Sequence, residues 1–130
     1  MLNIYENLPA GLLDARVEDL EDLLGGPGLI HLPGRRPEPL FVTVLSHGNE
    51  STGFTAVQAL LRDYTDRELP RSLSLFIGNV AAARHGMRRL DSQIDYNRVW
   101  PGTDAADCPE VRMMQQVVDH MRERHPFASL

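Results

Sequence analysis

The chain has 130 residues, of which 42% are hydrophobic and 24% are charged, as expected for one globular domain with a sizeable core. Its net charge of −5 disfavours a broad nucleic-acid surface, which needs clustered Lys and Arg. The single cysteine, Cys108, excludes an intrachain disulfide and is typical of a reducing compartment. No stretch is apolar enough to span a membrane, and the N-terminus lacks signal-peptide features. We therefore expect a cytoplasmic protein with neither nucleic-acid nor membrane partners.

The first 39 residues carry weak signals. Leucine and valine recur at helical spacing among acidic residues and predict a helix over residues 10–24, ended by Gly25. Residues 29–32 are short and apolar, which fits either a strand or an ordered loop. Three prolines between residues 33 and 39 predict a turn or loop, because proline cannot sustain a ladder or a helix.

The middle of the chain predicts a βαβ unit. Residues 40–45 are almost continuously apolar, which favours a strand buried on both faces. A helix follows from near Phe54, capped by Ser51 or Thr52 and ending before Pro70. Its predicted apolar stripe consists of Val57, Leu60, Leu61 and Tyr64. Residues 73–77 predict a second strand, which we expect to be central and parallel to the first.

The last third predicts one more helix. Residues 80–103 are polar and show no sustained period. A helix is predicted over residues 108–124, with Asp107 as cap and Glu110 reaching back. An apolar residue after such a helix, here Phe127, usually announces a further strand. We therefore expect α/β architecture with three layers (α/β/α) around a mostly parallel sheet, and a domain of residues 1–130 that is truncated at Leu130.

The segment between the first central strand and its helix contains His47-Gly48-Asn49-Glu50. The ends of strands in open α/β sheets are where such folds place their chemistry. His47 and Glu50 can face one point, and both are ordinary zinc ligands. Alternatively, a loop histidine followed by a helix-capping glutamate would give the same sequence pattern.

A second informative stretch runs from Arg88 to Gly102 and is rich in arginine. Guanidinium groups bind carboxylates bidentately, and Asn97 can donate a further hydrogen bond. Alternatively, these arginines are solvated loop charges paired with Asp91 and Asp95.

Taken together, the two stretches resemble the succinylglutamate desuccinylase/aspartoacylase family, which is related to the zinc carboxypeptidases. The resemblance rests on residues 47–50, on Gly78-Asn79 after the next strand, and on the run from Asp95 to Gly102. It covers roughly residues 40 to 102 and implies a zinc-carboxypeptidase-like fold.

The resemblance also implies residue roles. His47 and Glu50 would be the first two zinc ligands, and Asn97 and Arg98 would hold the substrate carboxylate. Arg89, with Arg88 as the alternative, would polarise the scissile carbonyl. The implied activity is zinc-dependent hydrolysis of the amide bond of an N-acyl amino acid or a similar carboxylate-bearing amide.

The resemblance is incomplete, because the family's third zinc ligand and general-base glutamate have no matching positions before Leu130. His85 is a weak candidate for the missing ligand. His120 and His125 are more simply interpreted as surface or boundary histidines, and Cys108 as an inert thiol at a helix start.

Three hypotheses follow. The first is the N-terminal portion of a zinc-dependent deacylase, with weak zinc binding and little activity in the 130-residue chain. The second is a non-catalytic carboxylate-binding or interaction module that keeps Asn97 and Arg98. The third adds self-association, because a truncated sheet exposes an edge, and therefore predicts a homo-oligomer.

Overall fold

The computed structural model of the chain describes residues 2–102 and 106–124. The strands of this part are β1 Asn3–Tyr5, β2 Gly28–Leu32, β3 Gly34–Val44 and β4 Leu69–Ile77. The α-helices are α1 Leu20–Leu24, α2 Thr52–Asp63, α3 Val80–Arg84 and α4 Pro109–Arg124. Short 3-10 turns lie at Leu12–Asp14, Val17–Asp19 and Tyr96–Arg98.

The four strands form one sheet in the order β1-β2-β4-β3. The pairs β1/β2 and β3/β4 are parallel, whereas β2 and β4 run antiparallel. The sheet is thus mixed but mostly parallel, and β3, α2 and β4 form the predicted βαβ unit. Strand β4 is central, as expected, with Leu73 to Ile77 buried.

Helices cover both faces of the sheet, so the predicted α/β/α layering is confirmed. One cluster joins the sheet to α1, α2 and α3, and its largest members include Leu20, Phe54 and Leu75. The other joins Leu29 and Phe76 to α4. Within the described residues, none of the helices has the length and apolar character needed to cross a membrane.

Strand β3 differs from its prediction in two ways. It begins at Gly34, so the proline-rich segment is a strand and not a turn or loop. The prolines are tolerated because β3 lies at the sheet edge, where a missing N–H breaks fewer bonds, and because the register shifts between Arg36 and Leu40. Its C-terminal half is not buried on both faces: Leu40 is 51% exposed and Phe41 is 37% exposed.

The helix predicted over residues 10–24 is wrong over most of its length. Gly11 has φ 85, and Ala15 and Arg16 are extended, so two 3-10 turns precede the five-residue α1. The leucines are buried nonetheless, since Leu12, Leu20 and Leu24 lie in the core. Helical spacing here reflects burial without a continuous helix.

Helix α2 is confirmed in place, but its stripe and its cap are corrected. Gln58 is buried, and Leu60 on the predicted stripe is 49% exposed. Gln58 lies inside because its side-chain amide donates to the carbonyls of Leu12 and Ala15, at 3.0 and 2.8 Å. Ser51 occupies the cap position without a side-chain cap hydrogen bond.

The segment after β4 also holds more structure than expected. Residues 80–103 include α3, which Asn79 caps, and a 3-10 turn. Helix α4 begins at Pro109, so the cap position falls on Cys108, and Asp107 instead pairs with Arg112 at 2.8 Å. His125 and the strand expected near Phe127 lie outside the described residues.

Candidate functional site

The candidate site lies at the edge of the sheet where β3 and β4 end. Val44 and Ile77 are register partners, so the segments after both strands emerge side by side. Leu45 then adopts φ 56, the one positive φ at a non-glycine position in the described part of the chain. Such backbone strain is found where a chain must deliver a side chain to a particular place. The residue delivered here, two positions on, is His47.

His47 is buried between two carboxylates. Its Nδ1 lies 2.9 Å from Glu50 Oε1, and its Nε2 lies 3.0 Å from both carboxylate oxygens of Asp95. The His47 side chain is 7% exposed, that of Asp95 13% and that of Glu50 63%. Nε2 of the ring therefore contacts the less exposed carboxylate, that of Asp95, and Nδ1 faces the more exposed carboxylate, that of Glu50.

Asp95 is held in its ionised form. Burial opposes ionisation, but hydrogen bonds from the backbone N–H of Asn97, from His47 and from Arg88 lower the pKa of Asp95 from 3.8 to about 2. The Arg88 guanidinium lies 3.2 Å from Asp95 Oδ2. A carboxylate on one ring nitrogen fixes the tautomer and orientation of a metal-binding histidine and raises the basicity of its other nitrogen.

The His47–Glu50 pair fits two positions of a zinc site. Zinc bonds of about 2.0–2.1 Å at tetrahedral angles hold two ligand atoms roughly 3.3 Å apart. The pair at 2.9 Å would need to open by only a few tenths of an ångström. Glu50 and Asp95 lie on opposite edges of the imidazole, so Asp95 cannot join the same ion. Over residues 2–102 and 106–124, no group of three His, Cys, Asp or Glu side chains is placed to hold a metal.

Gly48 packs closely against the last turn of α3 and the segment that follows it. A Cβ at this position would lie 2.4 Å from Ala83 N and 2.6 Å from Met87 O. Its N–H donates to Arg88 O at 2.9 Å. Only glycine lets the backbone come this close. The contact joins the turn that contains His47 to the arginine-containing segment after α3.

We call residues 86–95 the arginine loop. It borders an open depression of about 550 Å³. The residues lining the depression are Arg88, Arg89, Gln93, Ile94, Asp95 and Arg98. Three guanidinium groups line the depression, and one of them, that of Arg88, pairs with the half-buried Asp95 carboxylate. The other two give a surface suited to an anionic ligand.

The predicted site residues lie in one region but with different roles. His47 and Glu50 are in contact, and Arg89 and Arg98 both border the depression. The alternative arginine, Arg88, contacts Asp95 directly. Asn97 is exposed, binds Asp95 through its backbone N–H at 2.9 Å and does not line the depression.

The other histidines and the cysteine lie apart from this arrangement. His85 is exposed at the end of α3. His120 acts electrostatically on Glu6, near the N-terminal strand. Cys108 is half-buried at the start of α4 and packs against its apolar cluster.

Sequence reasoning missed the role of Asp95, which it read only as a possible partner for surface arginines. The available signal was its position two residues before Asn97, at the start of the second motif. A carboxylate in the second motif can contact His47 in the first motif only when the ends of β3 and β4 are adjacent. That adjacency follows from the parallel β3/β4 pairing.

Comparisons with known proteins give one positive finding. No curated protein and no solved structure matches the chain significantly. The family model of the succinylglutamate desuccinylase/aspartoacylase catalytic domain matches residues 39–126. This range covers more than half of the chain. It includes α2, β4, the C-terminal part of β3, both site motifs and α4. The chain therefore belongs to the succinylglutamate desuccinylase/aspartoacylase family of hydrolases.

Proposed function

We propose that the chain carries the metal- and carboxylate-binding part of a zinc-dependent hydrolase that acts on the amide bond of an N-acyl amino acid. The observation that carries the proposal is the arrangement of His47, whose Nε2 is held by Asp95 while its Nδ1 faces Glu50 at 2.9 Å. This is how a protein presents one ring nitrogen to a metal.

His47 Nδ1 and Glu50 Oε1 would hold the ion. Zinc, when bound, supplies Lewis acidity to the reaction. Arg89 and Arg98 border the depression, which is also lined by Asp95, the partner of His47 Nε2. Arg98 would bind the substrate carboxylate through charge-assisted hydrogen bonds. Asn97, which is exposed and does not line the depression, would add a hydrogen bond from its side-chain amide. Arg89 would donate to the carbonyl oxygen as negative charge develops on it. Asp95 keeps His47 oriented.

A specific observation also favours a second function, a carboxylate-binding module without metal chemistry. Within the described residues the zinc site has two ligands and not three, whereas the depression has three guanidinium groups. Such a module would bind the same anions but would be indifferent to zinc.

The two functions differ in whether zinc and carboxylate binding are coupled. We suggest titrating the chain with N-succinyl-L-glutamate and N-acetyl-L-aspartate, with and without zinc, and following the amides of residues 88–98 by NMR. The hydrolase predicts that zinc strengthens binding of the probe and that the probe strengthens zinc binding by the same factor. His47→Ala should remove this coupling and retain the metal-independent binding of the probe.

Equal probe affinity with and without zinc would favour the carboxylate-binding module. Absence of probe binding under both conditions, or binding that is unchanged in Arg98→Ala, would contradict both functions. The control is Arg16→Ala, which removes an exposed arginine in the segment before α1.

A further inference from the structure

The start of the arginine loop is bonded to α3, from Gly86 N to Ala83 O at 3.1 Å and from Met87 N to Ala82 O at 3.0 Å. The guanidinium groups of the loop are exposed, and long arginine side chains have many rotamers. The Gly48–Arg88 backbone bond and the Arg88–Asp95 ion pair hold the side of the loop that faces His47. Neither contact involves Arg89.

Gln93 holds the rest of the loop. Its side-chain oxygen accepts two hydrogen bonds, from the Leu90 N–H and from Asn79 Nδ2, both at 2.9 Å. Its backbone carbonyl accepts a hydrogen bond from Arg89 Nη1 at 2.8 Å. Its N–H donates to Leu90 O at 3.0 Å, which closes a tight turn. One half-buried residue thus contacts the loop backbone, an arginine side chain and a residue outside the loop.

The residue outside the loop, Asn79, is part of the sheet edge. It is 0% exposed and directly follows Gly78 at the end of β4. Its N–H donates to Leu45 O at 2.7 Å, and its side-chain oxygen caps α3 by accepting from Ala82 N at 3.1 Å. With these bonds made, the Asn79 amide group has a fixed orientation, and one of the two N–H bonds of its Nδ2 points at Gln93 Oε1.

We propose that Gln93 is a positioning residue that transmits the fixed orientation of Asn79 to the guanidinium of Arg89. The chain of contacts runs from the end of β4 through Asn79 Nδ2 to Gln93 Oε1, and from the Gln93 carbonyl to Arg89 Nη1. The inference rests on the proposed function only in that Arg89 contacts the substrate. Preorganisation of this kind reduces the entropy lost when an anion binds.

Three variants test the hydrogen bonds of the Gln93 side chain. Gln93→Met keeps the length of the side chain but removes the shared acceptor. Asn79→Asp removes the Nδ2 donor and keeps the oxygen that caps α3. Gln93→Glu keeps the acceptor for both donors and serves as the conservative rescue.

The matched control is Gln58→Met. Gln58 is also an inward-facing glutamine with two hydrogen bonds, and it lies on α2 away from the loop. Gln58→Met therefore shows how the loss of two side-chain hydrogen bonds affects the protein when no contact of Arg89 is changed.

The measurements are the NMR signals of the Arg89 guanidinium and the Leu90 amide, together with the affinity for N-acetyl-L-aspartate. In Gln93→Met and Asn79→Asp we expect the Arg89 signal to broaden or move to the position of a solvated arginine. Probe affinity should fall about tenfold, as for the loss of one well-placed hydrogen bond. Gln93→Glu should keep the Leu90 amide shift, and Gln58→Met should leave both signals and the affinity unchanged.

Unchanged Arg89 signals in both Gln93→Met and Asn79→Asp would overturn the inference, as would an equal effect of Gln58→Met. If the wild-type chain does not bind the probe, the proposed function fails, and the Arg89 and Leu90 signals still decide the role of Gln93.

Discussion

Asp95 determines what His47 can do, because it occupies one of the two ring nitrogens. If His47 binds zinc through Nδ1, then loss of the Asp95 charge should weaken zinc binding by about 10–100-fold, the usual cost of removing such a partner. We predict this result for Asp95→Asn, measured by isothermal titration with zinc. The control is Asp91→Asn, which changes the same charge on the same loop at an exposed position. Equal zinc affinities for the two variants would contradict the assignment.

His31 makes the stability of the protein depend on pH. Its Nδ1 bonds Ser74 Oγ at 2.8 Å, whereas its buried Nε2 has no hydrogen-bond partner among residues 2–102 and 106–124. Burial, with a smaller contribution from Arg124, lowers the pKa of His31 from 6.5 to about 4. Between these values the unfolded chain binds the proton and the folded chain does not. The contribution to stability is therefore complete above pH 6.5 and is lost as the pH falls towards 4.

We predict that His31→Leu combined with Ser74→Ala removes this dependence. The free energy of unfolding, measured with urea from pH 4 to 7, should lose a slope equivalent to about one proton. Ser74→Ala alone keeps the histidine and should keep the slope. The same slope in the double variant and the wild type would show that other groups cause it.

At the scale of elements, two glycines near the site differ in whether the structure has space for a Cβ atom. Gly48 lies where a Cβ would meet backbone at 2.4 Å, whereas a Cβ on Gly53 in α2 would make only an ordinary contact with Val44 at 3.4 Å. We predict that Gly48→Ala destabilises the fold by about 1–3 kcal/mol through overpacking. Gly53→Ala should stabilise it by up to about 1 kcal/mol through helix propensity. Urea unfolding measures both, and a Gly48→Ala variant as stable as the wild type would contradict the close packing of the turn.

Strand β3 leaves an open edge and an exposed apolar pair. It pairs only with β4 among the described residues, and Leu40 is 51% exposed. We propose that this edge mediates self-association, which Leu40→Lys should reduce. Light scattering at high concentration should give a mass above 14.6 kDa for the wild type and a smaller mass for the variant. Leu60→Lys is the matched control, because Leu60 is 49% exposed on α2. A monomeric wild type would contradict the proposal.

Some elements could be predicted from the sequence and others could not. The βαβ unit was predictable because its strands and helix have clear periods and clear ends. The segment before α1 was not, since 3-10 turns and helices bury leucines at similar spacing. The prolines of β3 suggested a loop because sequence alone does not tell an edge strand from a central one.

At the scale of the whole molecule, the proximity of the candidate site residues was predictable where it depends on motifs next to strand ends. His47, Glu50, Arg89 and Arg98 lie in one region because parallel pairing brings the ends of β3 and β4 together. The contacts of Asp95 and Gln93 were not predictable, since they depend on how the arginine loop folds back. Such contacts are set by tertiary packing, which local periodicity does not report.

The central claim is that His47 Nδ1 and Glu50 form a zinc site. The most direct test is a zinc titration of the chain with ¹⁵N-labelled histidine, carried to millimolar zinc and followed by imidazole nitrogen shifts. We predict that the His47 Nδ1 signal shifts most and that Nε2 keeps its proton, which it donates to Asp95. Glu50→Gln should reduce the zinc-induced shift of Nδ1. A His47 ring that stays unchanged, or a stronger shift at exposed His85, would contradict the claim.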